Sequence, residues 1–112
     1  MKKNLTVEET FALAVKSYQK KKFHAAEKFY KEILKTHPNH AGTYVNLGMT
    51  LYKLEKYKEA IDCYENAIKI NPKDSNPHYN LGNLYKNFNK YEEAINFYNK
   101  AIQINPNHLG AY

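Results

Sequence analysis

Pro38, Pro72 and Pro106 stand thirty-four residues apart, and between them the chain repeats itself. Asn80-Leu81-Gly82, Tyr91-Glu92-Glu93-Ala94-Ile95, Tyr98, Ala101-Ile102 and Ile104-Asn105-Pro106 form one copy of a skeleton. The copy before it reads Asn46-Leu47-Gly48, Tyr57-Lys58-Glu59-Ala60-Ile61, Tyr64, Ala67-Ile68 and Ile70-Asn71-Pro72. A worn first copy keeps Leu13-Ala14, Phe23, Ala26, Tyr30, Leu34 and Pro38. Self-similarity at a period of roughly 20–50 residues marks a stacked array, in which no unit buries its apolar face alone and neighbours complete the core.

Each copy reads as two helices. Thr6-Val7-Glu8-Glu9 has capping-box spacing, so a first helix is expected from about Val7 to Lys20. Lys20-Lys21-Lys22 is its turn, and a second helix runs from about His24 to Thr36, closed at Pro38 because the residue before a proline is pushed out of the helical region. The second copy predicts helices over about 41–54 and 58–70, and the third over about 75–87 and 91–104. Asp74 is placed to cap the helix that follows it, and Pro77 is tolerable there because it lies in the first turn. No strand pattern competes with these helices.

Composition narrows the function classes. At 112 residues the chain has room for one domain. All 17 basic residues behind the net charge of +6 are Lys. Arg is the preferred fork for phosphate, so its absence disfavours nucleic acid. Cys63 is the single cysteine, which leaves no intrachain disulfide. The N-terminus has no apolar segment behind Lys2 and Lys3, and no run approaches a membrane span. A cytoplasmic, soluble protein is the expectation.

Gly48 and Gly82 are expected to face Ala60 and Ala94 across each hairpin, as Ala14 faces Ala26, so that paired helices approach closely. Tyr30, Tyr64 and Tyr98, with Ile33, Ala67 and Ala101, are expected to fill the seam to the next unit.

These residues resemble the tetratricopeptide repeat, a 34-residue helix-turn-helix unit. With units counted from Val7, Ala41 and Ser75, the seventh and eighth positions carry Leu47-Gly48 and Leu81-Gly82. Position seventeen is Phe23, Tyr57 and Tyr91, position twenty is Ala26, Ala60 and Ala94, and position twenty-four is Tyr30, Tyr64 and Tyr98. The resemblance implies an all-α fold, an α-solenoid of helix-turn-helix repeats in a right-handed superhelical stack. It divides the chain into a lead-in at 1–6, repeats at 7–40, 41–74 and 75–108, and the start of an incomplete fourth repeat at 109–112. The packing residues it implies are Leu47, Gly48, Ala60, Tyr64, Leu81, Gly82, Ala94 and Tyr98. Repeat one departs from the pattern at Thr10 and Ala14.

The capping helix usual at the end of this family is missing, and a stacked array needs a polar outer face there. The expectation is a fragment of a longer array, or self-association through Tyr98, Ala101 and Ile102.

By resemblance, a second stripe on the first helix of each unit lines a concave groove: Asn46, Met49, Tyr52 and Lys53 in repeat two, Tyr79, Asn80, Asn83, Lys86 and Asn87 in repeat three, and Tyr18 in repeat one. Asn46 and Asn80 hold the same position, and an Asn amide both donates and accepts, so it can bridge a peptide unit without reading sequence. This resembles the asparagine ladder of the repeats preceding O-linked N-acetylglucosamine transferases. The carboxylate clamp of the chaperone-tail type is absent: Asn46 matches it, but Phe11, Val15, Asn76 and Asn80 stand at its other positions.

No other motif carries chemistry. Lys20-Lys21-Lys22 reads as a solvated turn, His37 and His40 as loop residues without a metal partner, and Cys63 as an inert thiol. Ser17 and Ser75 lack a nucleophile-elbow context. No catalytic residue, cofactor or metal site is expected. The reading is a protein-interaction module that holds an extended peptide or partner helix. The alternatives are a self-assembling structural repeat and the N-terminal adaptor of a larger enzyme such as a glycosyl- or sulfotransferase.

Overall fold

The computed structural model describes residues 4–107 and contains six helices: α1 (Val7–Gln19), α2 (Phe23–Thr36), α3 (Ala41–Lys53), α4 (Tyr57–Ile70), α5 (Asn76–Asn87) and α6 (Tyr91–Ile104). There is no strand among the described residues. The start of a fourth repeat at 109–112 and the first half of the lead-in lie outside them.

The capping box at Thr6 forms as its spacing requires, with the Thr6 hydroxyl accepting from the Glu9 N–H at 3.0 Å and the Glu9 carboxylate accepting from the Thr6 N–H at 2.9 Å. At α5 the N-cap is Ser75, and Asp74 one residue earlier accepts from the Asn76 N–H at 3.0 Å. His40 caps α3, its Nδ1 meeting the Thr43 N–H at 3.2 Å and the Thr43 hydroxyl at 2.8 Å. The repeat pattern marks His40 only as a loop residue, so this capping role is a correction.

Within each unit the turn is the same. Lys21, Glu55 and Asn89 hold φ of 61°, 61° and 62°, the left-handed region that side chains other than Gly and Asn resist. Only the third unit places a tolerant residue there. The aromatic after each turn begins the second helix, so α2 and α4 start one residue earlier than the spacing suggests.

Helices pair as hairpins, α1 with α2, α3 with α4 and α5 with α6, and successive hairpins stack through α2 on α3 and α4 on α5. The result is an elongated body of 52 × 25 × 21 Å, an α-solenoid. Its core runs along the stack through Ala14, Ala26, Tyr30, Leu47, Leu51, Tyr64 and Leu81. Leu47 and Leu81 are sealed at 3% and 1% exposure because α2 and α4 cover them. Leu13, their counterpart on α1, is 38% exposed, and no helix among the described residues precedes α1 to cover it.

The packing at the glycines and at α6 is specific. A methyl group built on Gly48 would lie 2.6 Å from the Tyr64 ring, and one on Gly82 would lie 2.6 Å from the Tyr98 ring. The glycines therefore make room for those rings, and the tyrosines fold back on their own hairpins as well as facing the seam. Ala101 is sealed at 0% exposure inside the chain. Tyr98 and Ile102 are half-buried. The apolar surface that α6 does present is Tyr91 and Ile95, at 57% and 56%.

One ion-paired strap links the first two units. Glu27 is 7% exposed, and its carboxylate meets Lys31 at 2.6 Å and Lys56 at 3.2 Å. Repeats two and three carry Ile61 and Ile95 at the same place. Burial alone would raise the Glu27 pKa, but the two ammonium groups outweigh it and hold the carboxyl below its ordinary range.

Candidate functional site

The three first helices, α1, α3 and α5, line up along one side of the stack. A hollow of about 310 Å³ opens between α3 and α5. Met49, Tyr52 and Lys53 of α3 form one wall, and Asn80, Asn83, Lys86 and Asn87 of α5 the other, with Tyr18 and the buried Tyr64 completing it. A second hollow of about 260 Å³ lies between α1 and α3 and holds Asn46 with Val15, Gln19 and Tyr30. Tyr18 and Met49 line both, so the two adjoin.

The groove residues named from the sequence therefore divide. Asn46 and Asn80 look into different hollows, and Tyr79 lines neither: its ring sits 5.9 Å from that of Tyr98. Tyr30 and Tyr64 belong to the lining, although their repeat position marks them only as packing residues. The signal is present in the phenol itself, whose buried hydroxyl needs a polar partner.

Those partners are the groove asparagines. The Tyr98 hydroxyl donates to Asn83 Oδ1. The Asn87 amide donates to the Tyr52 hydroxyl. Tyr30 hydrogen-bonds with Asn46, which opposes but does not cancel the upward shift that burial gives the Tyr30 phenol. Burial likewise pushes Tyr64 up, with Tyr18 adding to it, which keeps that phenol protonated.

Elsewhere the chemistry is sparse. Cys63 on α4 is 8% exposed, and burial, reinforced by Asp62 and Glu59, pushes its thiol up to about 12. A thiol so far from ionising is a poor nucleophile at neutral pH. His78 is buried with Nδ1 unpartnered, and burial together with Lys100 lowers its pKa. No group of three or more His, Cys, Asp or Glu among the described residues is placed to hold a metal ion. No helix among them is long and apolar enough to cross a membrane.

Two family models match this helical-hairpin pattern, one of the TPR repeat over residues 48–87 and one of the tetratricopeptide repeat over residues 75–108. The chain belongs to the tetratricopeptide-repeat family. The family model of anaphase-promoting complex, cyclosome, subunit 3, matches residues 3–67 of this tetratricopeptide array as well. No curated protein matches the chain.

Solved structures agree with the fold. MamA superposes with a TM-score of 0.88 at 26% identity, over 96% of this chain and 63% of its own. The Yersinia enterocolitica type III secretion translocator chaperone SycD, in an alternative dimer, gives 0.89 at 20% identity, over 95% of this chain and 80% of its own. A chain of the CopN–Scc3 complex gives 0.81 at 22% identity, over 88% and 58%. The array thus spans less than two thirds of MamA and of the CopN–Scc3 chain. Protein interaction is the role typical of tetratricopeptide arrays.

Proposed function

We propose that this tetratricopeptide array is a non-enzymatic binding module whose groove along α1, α3 and α5 takes an extended segment or partner helix of another protein. One observation carries the reading: the two adjoining hollows on the first-helix side, lined by amides, phenols and Met49. Amides satisfy a peptide backbone in both senses, and Tyr and Met give adaptable apolar contact to side chains. With first helices roughly 10 Å apart, Asn46 and Asn80 meet about every third residue of an extended chain. A lone cysteine that builds no disulfide suits a reducing compartment, and the cytoplasm is the proposed location. The similar chain of the CopN–Scc3 complex comes from an assembly of proteins, which is consistent with partner binding by this fold.

The test is affinity capture from source lysate by wild type and by Asn46→Ala/Asn80→Ala, with melting curves of both. A partner held by the wild type and lost by the double variant is the expected result. Asn46→Ala also removes the Tyr30 partner and is expected to cost about 1 kcal/mol of stability. Asn80→Ala alone therefore serves as the clean variant if the double one melts early. Identical captured sets from both proteins would remove the groove from consideration.

A second reading is self-assembly, favoured by the exposure of Tyr91 and Ile95 on α6.

A further inference from the structure

The chain has 11 acidic residues, and none of them lies on α3, on α5, or on α1 beyond Glu9. The acids sit on the second helices, as Glu27, Glu32, Glu59, Asp62, Glu65, Glu92 and Glu93 do, or in turns and at the chain's start. Beyond the first turn of α1, the described first helices therefore carry no negative side chain. They are not free of positive ones, because Lys53 and Lys86 stand on opposite walls of the hollow between α3 and α5. Each lies in the last turn of its helix, where a cation answers the macrodipole. The dipole accounts for a lysine there, but not for the missing acids at every other place on that face.

The pairing of the neighbouring lysines sharpens the contrast. Lys31 and Lys56 are matched to Glu27, with Glu59 a further partner of Lys31. Among the described residues no ion pair includes Lys53 or Lys86. Two acceptors beside them are already used: Asn83 Oδ1 takes the Tyr98 hydroxyl, and the Tyr52 oxygen takes the Asn87 amide. What remains for a visitor at Asn83 and Tyr52 is an amide N–H and a phenol O–H. The hollow is rich in donors and positive charge.

From this arrangement, and resting on the groove reading above, we infer that the hollow between α3 and α5 seats the side-chain carboxylate of an internal Asp or Glu in the bound segment. Lys53 and Lys86 supply the charge, and Tyr52 and the Asn83 amide supply hydrogen bonds. The apolar residues beside the acid rest on Met49 and Tyr18. This seat lies toward the C-terminal ends of the first helices and needs no free chain end. The preferred partner is an extended protein segment that carries an acid between apolar residues.

A random dodecapeptide library, displayed on phage and panned on the full chain, tests this without a known partner. Selected sequences are then synthesised with fluorescein, each also in a form with Gln and Asn in place of Glu and Asp, and titrated by anisotropy. We expect the selected pool to be enriched in Asp or Glu flanked by apolar residues. The amide forms should bind roughly tenfold more weakly, as two exposed ion pairs imply. Lys53→Gln/Lys86→Gln should erase that difference with an unchanged melting curve, and added salt should shrink it. Equal affinity of acid and amide forms, with binding still lost in Asn46→Ala/Asn80→Ala, would overturn the carboxylate seat and leave the groove standing. Failure to enrich any sequence would overturn both.

Discussion

Glu27 shows how one side chain ties two repeats together. It stands where the other repeats carry isoleucine, and it is buried against Lys56 at the turn of the next unit. Its folded-state pKa is lowered, so the stability it contributes is present above its unfolded pKa and is lost as pH falls through the folded one. Both lysines are more than a third exposed, at 48% and 38%, which screens the pair and holds its contribution to about 1 kcal/mol. Glu27→Gln should lower urea-denaturation stability by that amount at neutral pH, and by nothing once the wild-type carboxyl is protonated in acid. An equal loss at both pH values would show that shape rather than charge holds the strap.

At the scale of the helix pair, Gly48 and Gly82 set how far α3 and α5 can approach their partners. Ala in place of Gly adds about 1 kcal/mol of helix propensity. At Gly48 a methyl group meets the Tyr64 ring, which is 3% exposed and has nowhere to go. Overpacking of that kind costs roughly 1–3 kcal/mol, so Gly48→Ala should be destabilising overall. Gly82→Ala meets Tyr98 just as closely, but that ring is half-buried at the end of the described stack and can swing outward. Thermal melts of the two variants should therefore differ, with the larger drop at Gly48. A Gly48→Ala protein that melts above wild type would show that the Tyr64 ring yields to the added methyl.

Across the whole molecule, each hairpin leans on the next, and α6, the last helix of the described residues, turns Tyr91 and Ile95 outward. Their counterparts on α4, Tyr57 and Ile61, are half-buried, with α5 packed against that helix. Burying two such side chains yields a few kcal/mol at about 1.5–3 kcal/mol each, enough for association only at high concentration. Sedimentation velocity over a range of concentrations should reveal reversible association that Ile95→Glu removes without changing the helical circular dichroism. A wild-type chain that stays monomeric throughout would leave the groove as the sole candidate contact surface.

The thirty-four-residue period determined the six helices, their order and the hairpin plan, because helix length, proline stops and aromatic spacing are local properties of the chain. The Thr6 cap and the first-turn place of Pro77 were legible for the same reason. Three-dimensional packing decided what the period cannot express, namely the rotation of one helix against another. It set the Tyr64 ring against Gly48, sealed Ala101 inside the chain, and made His40 a cap. It also divided the groove into two hollows, with Asn46 in one and Asn80 in the other. A repeat tells each residue its rank within a unit. Only the angle between units settles which ring fills which gap, and whether two lysines thirty-three residues apart end up on opposite walls of one hollow.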